Sequence, residues 1–287
     1  MTALTEHEDG EILVCAIHLP QALERRRKFL AANQIEGVRF AFVDGVDGRQ
    51  LDARELARQR LMTPGTRGFT SSTLGSGLAH RAIWLQAAAS GAPALAGEDD
   101  AVFRKDFRRQ FDWCIGALPD DWDFILLGYN FDAVLEAEII PGVESLRGHF
   151  LQRPLGESEL RRFQETTAPV SVIPLKNAFG LPGYAISPAG ARHLLSRVFP
   201  LHNRPVPIPA LSRTIASFSV DCLMNALYSG MRAYASAQKL IPICSREDSV
   251  VPQGQDRVFE DVHLGHLAVG DFNFGGVVLH VQGALDL

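Results

Sequence analysis

Cysteine is scarce and scattered: four residues in 287, with no CxxC pair, so the spacing shows neither a disulfide framework nor a cysteine-based metal site. Cys15 and Cys222 lie inside apolar runs and are expected to be small core residues, which fits a reducing compartment. Long hydrophobic runs are missing too, since no apolar stretch approaches the ~20 residues needed to span a bilayer. Net positive charge is absent. The 28 Lys and Arg against 33 Asp and Glu give a formal charge of −5, which argues against a nucleic-acid partner, because such proteins carry a basic face. Met1 to Gly10 is polar and acidic, unlike a secretory signal or transit peptide. The expectation is a cytoplasmic protein that at most touches the inner face of a membrane peripherally. There is no internal repeat and no low-complexity tract. No Gly-rich loop carrying Lys or Arg follows the first apolar run, which weakens any reading as a sugar nucleotidyltransferase.

Apolar residues make up 46% of the chain, enough for one large core or two modest ones. Residues 12–19 form a continuous apolar run of the kind found in strands buried on both faces. Residues 21–33 read as an amphipathic helix, 38–43 as a strand ended by Asp44-Gly45, and 52–60 as a short helix followed by a mobile loop. A helix over 78–89, a strand over 92–97, a helix over 105–118 and a strand over 123–128 continue the alternation. That alternation predicts an α/β fold, a mainly parallel sheet with helices on both faces. The second half is more irregular. Strands are expected at 170–175 and 183–187, and a helix at 188–198 with Ser187 as N-cap and Pro188 in its first turn. Residues 199–212, with four prolines, read as an extended loop, and 219–228 as a short helix. The halves 11–165 and 166–287 are expected to share one sheet, with a soft boundary between them.

Glu98-Asp99-Asp100 stands out because three adjacent carboxylates end one short apolar run and are followed at once by another, Ala101-Val102-Phe103. Adjacent acids repel and cost solvation, so packing alone does not favour them at a strand end. They become favourable if a divalent cation with oxygen preferences sits there and brings phosphates with it. In open α/β sheets, ligands bind at the carboxyl ends of strands, where the triplet is expected to fall. The alternative is a solvated acidic turn with Asp99 or Asp100 capping a helix. Two basic clusters, Arg25 to Lys28 and Arg104, Lys105, Arg108 and Arg109, are either phosphate or membrane contacts or the wet faces of helices.

Four segments in order carry a family resemblance. Ile17-His18-Leu19 with Glu24-Arg25-Arg26 is similar to an opening "INL…(E/D)RR" motif. Leu74-Gly75-Ser76-Gly77-Leu78-Ala79-His80 with Trp84 resembles an "(L/I)GCxLSH…W" block. Ala94 to Asp100 resembles a block ending in LEDD, and Gly183-Tyr184-Ala185-Ile186-Ser187 with Gly190-Ala191 and Leu194-Leu195 resembles "GYxIS…GAxxLL", followed by Val220-Asp221. Together they resemble the family 25 glycosyltransferases, which include lipooligosaccharide and collagen galactosyltransferases, over about Val14 to Ser249. The resemblance implies a GT-A-type fold, a nucleotide-sugar donor (most often UDP-galactose), Mn²⁺ or Mg²⁺, and inversion at the anomeric carbon. It also implies a saccharide, lipid-linked or small-molecule acceptor. Four positions depart from the pattern: His18 replaces Asn, Ser76 Cys, Ala79 Ser, and Gly97 a large apolar residue. They imply either a changed donor pocket or a catalytically silent protein kept for binding.

On this reading Glu98 and Asp100 contact the metal and diphosphate, and Asp99 reaches the ribose or donor sugar. Arg25 and Arg26 follow the first strand's carboxyl end, where one guanidinium would pair with phosphate. His80 shares a helix face with Trp84 and is either a core histidine or a site residue. Tyr184 either contacts the donor or is a buried strand aromatic. Asp221 either caps its helix or serves as the base that takes the acceptor's proton. His263, His266 and His280 are candidate third metal ligands, as a C-terminal His completes the metal shell in some GT-A enzymes.

Overall fold

A computed structural model describes residues 10–130, 134–149 and 155–243, together with the backbone of 270–274 and 277–281. Strand β1 (Ile12–His18) is followed by α1 (Leu23–Ala32), β2 (Val38–Asp44), α2 (Ala53–Arg58), α3 (Ser71–Ser90) and β3 (Ala94–Glu98). Next come α4 (Phe107–Gly116), β4 (Phe124–Gly128), the hairpin β5 (Val134–Ile140) and β6 (Glu144–His149), and α5 (Glu157–Glu165). The chain continues through β7 (Val172–Ala178), β8 (Gly183–Ile186), α6 (Pro188–Val198), β9 (Pro205–Ile208) and β10 (Arg213–Ala216). It then forms α7 (Val220–Asn225), β11 (Ala233–Ser236), β12 (Gly270–Phe274) and β13 (Val277–Val281).

Nine strands form one sheet in the order β2-β1-β3-β8-β4-β11-β7-β5-β6. β1 is parallel to β2 and β3, and β4 is parallel to β11, whereas β8 runs antiparallel between β3 and β4. Strands β1 to β5 and β11 point one way and β6, β7 and β8 the other, so the expected α/β class holds with six of the nine strands sharing a direction, in a mixed sheet where three neighbouring pairs are parallel and five antiparallel. β8 and β11, from the second half of the chain, lie among strands of the first.

Alternation along the central strands supplies two cores. Cys15, Ala96, Phe124, Leu126, Tyr184 and Ile186 face Ile83 and Trp84 of α3, Leu194 of α6 and Leu223 of α7. Val14, Leu95, Ile125 and Ala185 face Phe29 of α1 and Phe107 and Phe111 of α4. Helices therefore cover both faces, as an inner strand buried on both sides requires.

Helix α3 begins at Ser71, two turns before the expected start at 78. Thr70 caps it by accepting a hydrogen bond from the Thr73 N–H at 3.2 Å. The glycines that weaken the helical pattern are there for contact: a Cβ on Gly75 would lie 2.2 Å from the Val46 carbonyl oxygen. The expected loop at 199–212 contains β9, whose prolines are tolerated because its hairpin with β10 stands apart from the main sheet. No helix starts at the acidic triplet: α4 begins at Phe107.

The segment after the acids is held firmly. Asn33 donates to the Ala101 carbonyl at 2.9 Å and accepts from the Phe103 N–H at 2.8 Å. Phe103 lies edge-on to Phe40 (5.2 Å between centroids) and Phe107 (4.9 Å). It also fills the space beside Gly97, where an added Cβ would lie 3.1 Å from the Phe103 ring and 3.5 Å from Val14. The departure at Gly97 is thus a packing exchange on the face of β3 away from His80. Gly97→Val should destabilise the fold by about 1–3 kcal/mol through overpacking. Combined with Phe103→Leu it should cost less than the two single changes added, as read from unfolding midpoints; strict additivity would overturn the exchange.

Candidate active site

The register of β1 against β3 sets Ile17 beside Glu98, so His18 and Asp99 leave the sheet together at the carboxyl ends of two parallel strands. His18 Nδ1 lies 2.9 Å from Asp99 Oδ2. Arg25, in the first turn of α1, donates to Asp99 Oδ1, and its guanidinium lies 3.6 Å from Asp100 Oδ2. From the other face of the sheet, His80 Nε2 comes within 3.4 Å of Glu98 Oε1. His80 Nδ1 is 3.1 Å from the Tyr184 hydroxyl, which accepts a hydrogen bond from Trp84 Nε1 at 3.0 Å. The structure thus brings Glu98, Asp99, Asp100, Arg25 and His80 together.

Other expected site residues are placed differently. Arg26 does not reach the acids; its guanidinium lies over the Phe42 ring at 4.2 Å, and Phe42 in turn meets the His18 ring edge-on. Tyr184 is fully buried beneath the site, so it cannot stack on a ligand and touches the acids only by way of His80. Asp221 sits in the first turn of α7, where Oδ1 accepts from the Ser219 hydroxyl and Oδ2 from the Gly180 N–H at 2.8 Å. Segment 179–182 links it to the acids, because the Glu98 N–H donates to the Pro182 carbonyl at 3.2 Å. The second basic cluster is paired within the protein. Arg104 is buried and bonded to Asp106 and to the Thr166 and Ala168 carbonyls, and Arg109 and Lys105 pair with Asp106 and Glu165.

His18 is the site residue that sequence reasoning missed. Its position at the end of the first strand was the available signal, but pairing with Asp99 depends on the register between strands 81 positions apart. The other departures from the family pattern lie outside the acid cluster. Ser76 is exposed and Ala79 is buried on α3. His263 and His266 fall outside the described residues, as do Cys244 and Ser249, and only the strand backbone is described at His280.

The electrostatics of the triplet are unbalanced. Burial first and the charge of Glu98 second push the Asp100 carboxyl up to about 7, with Arg25 opposing them. Asp100 Oδ1, His18 Nε2 and Arg25 Nε are shut off from solvent and have no hydrogen-bond partner among the described residues. Orphaned acceptors and a donor around one acidic turn suit a cation together with an oxygen-rich anion. Among the described residues no three His, Cys, Asp or Glu are arranged to hold a metal by themselves. The donor set fits the Mg²⁺-type arrangement, in which one or two carboxylates share the ion with substrate phosphates.

Oriented carboxylates and a guanidinium at the carboxyl ends of parallel strands are the chemistry that suits a charged, oxygen-rich ligand. The chain belongs to glycosyltransferase family 25 (LPS biosynthesis protein), whose model matches residues 12–210. The match spans every site element from β1 to α6 and ends before Asp221. No curated protein matches the chain. Among solved structures, a mannose-1-phosphate geranyltransferase from Thermus thermophilus is similar at 14% identity over 80% of this chain and 74% of that one, with a TM-score of 0.32. No helix among the described residues is long and apolar enough to cross a membrane.

The raised Asp100 carboxyl has a measurable consequence. In the folded chain without ligand it keeps a proton that the unfolded chain, with the ordinary value of 3.8, gives up earlier. Its contribution to stability is complete below pH 3.8, declines as the pH rises through about 7, and is flat above that. Thermal midpoints of the ligand-free protein should fall across this window, and Asp100→Asn should flatten the fall. Parallel profiles for the two proteins would show that Asp100 is not so perturbed.

Proposed function

We propose that this glycosyltransferase moves a hexose, galactose first among the candidates, from a UDP-sugar to a saccharide, lipid-linked or small-molecule hydroxyl acceptor, assisted by Mn²⁺ or Mg²⁺. The observation that carries the reading is Glu98-Asp99-Asp100 at the end of β3, gripped by Arg25 and His18 and containing a buried carboxylate oxygen without a partner. Glu98 and Asp100 are the residues that would hold the ion, which when bound neutralises the leaving diphosphate. Arg25 serves the same charge from the protein side, since a guanidinium tied at one edge to Asp99 keeps further N–H groups for phosphate oxygens. Asp99, whose two oxygens are engaged by His18 and Arg25, would accept from a ribose or sugar hydroxyl through a remaining lone pair. Of the four departures that raise the alternative of a silent binding protein, Ala79 and Gly97 are packing positions and His18 grips Asp99.

Asp221 is the proposed general base. Transfer with inversion needs one group to take the acceptor's proton as its oxygen attacks. Each Asp221 oxygen already accepts one hydrogen bond, so the acceptor hydroxyl would approach a remaining lone pair on one of them.

Metal removal tests the main reading. EDTA should abolish UDP-sugar turnover and Mn²⁺ should restore it, while Asp100→Asn stays folded and inactive, because the change leaves the core untouched. Full turnover in EDTA would remove the metal from the reaction. For the base, Asp221→Asn should lower turnover about 10²–10⁴-fold with UDP affinity unchanged. Ser219 rather than Asp221 caps α7, so if Asp221 only accepts from Ser219 and Gly180, the same variant loses about 1 kcal/mol of stability with a hydrogen bond and keeps its specific activity.

A further inference from the structure

Behind Glu98 lies a buried chain of three aromatic polar groups, and the donors and acceptors in it can be assigned in full. Trp84 Nε1 carries a hydrogen and no lone pair, so at 3.0 Å from the Tyr184 oxygen it can only donate. Tyr184 therefore accepts there and has one hydrogen left to place. It is fully buried, and among the described residues His80 Nδ1, at 3.1 Å, is the other hydrogen-bond partner of its hydroxyl. Burial holds the Tyr184 phenol far above its ordinary range, so that hydrogen is present. Leaving it unpaired in the core would cost the full desolvation of a hydroxyl. The hydrogen goes to His80 Nδ1, which must then offer a lone pair. The ring hydrogen of a neutral His80 is thereby placed on Nε2, 3.4 Å from Glu98 Oε1.

We propose that Trp84 and Tyr184 are positioning residues that lock His80 as the neutral Nε2–H tautomer, so that it donates to Glu98 and holds that carboxylate toward the ligand. Each member comes from a motif segment: His80 and Trp84 stand four residues apart on one face of α3, and Tyr184 lies on β8, the strand beside β3. A neutral donor orients Glu98 without adding positive charge to a site meant for a cation. It occupies one carboxylate oxygen and leaves the other to the ligand. Such outer partners of a ligating group usually alter metal affinity or activity about 10–100-fold when removed. The consequence at Glu98 rests on the metal reading above, but the tautomer does not.

Long-range ¹H–¹⁵N correlation spectra separate the two neutral tautomers from the doubly protonated ring. With nine histidines in the chain, the His80 signals are identified by their loss in His80→Gln. The Nε2–H pattern is expected in the native protein; an Nδ1–H or doubly protonated ring overturns the proposal. Tyr184→Phe keeps the ring packing and removes only the hydroxyl, so His80 should become a mixture of tautomers, and a spectrum unchanged from the native one overturns the lock. Mn²⁺ affinity measured in the presence of UDP should fall about 10–100-fold in the same variant. An altered tautomer with unchanged Mn²⁺ affinity overturns the positioning of Glu98. If the native chain binds no Mn²⁺ at all, the metal reading fails and the relay is judged on the tautomer alone.

Discussion

Three consecutive carboxylates at a strand end repel one another, and the site depends on how that repulsion is balanced. The balance comes from three directions in the fold. Arg25 reaches Asp99 and Asp100 from the first helix, His18 reaches Asp99 from the neighbouring parallel strand, and His80 reaches Glu98 from the long helix on the opposite face. The compensation is incomplete, since Asp100 keeps a raised carboxyl and an unpaired oxygen. A site that is fully neutral by itself has nothing to offer a cation or diphosphate. One left short of positive charge, with its geometry already set, favours a cation, and an anion only together with that cation.

Rigidity around the acids comes from packing on both faces of the sheet. On one side Asn33 and the Phe40, Phe103 and Phe107 rings clamp the chain just beyond Asp100. On the other, Gly75 lets α3 lie against the Val46 carbonyl, so the same helix can carry His80 to Glu98 and Trp84 to Tyr184. The exchange of bulk between Gly97 and Phe103 belongs to the first side, which separates it from the polar relay on the second.

Much of the architecture was legible in the linear chain. The first strand, the cap at Ser187 with its helix, and the acidic end of β3 are local signals that the structure repeats. The early start of α3 was not legible, because Gly75 and Gly77 lower helix propensity and the contact that repays them lies on another segment. The β9–β10 hairpin was hidden for a similar reason, as its prolines argue against a strand until it is known to stand apart from the main sheet.

Sequence alone determined the α/β class, the family, and the chemistry available at Glu98, Asp99, Asp100 and Arg25, because strand alternation, helix caps and runs of like charge act over a few residues. Only the tertiary structure decided which partners those residues have. It made His18 a site residue, turned Arg26 onto Phe42, buried Tyr184 beneath His80 and buried Arg104 against the backbone. Each of those outcomes depends on strand register or on which face of the sheet a helix covers. A one-residue change of register would send His18 or Tyr184 to the other face of the sheet, and no local pattern states which register is adopted.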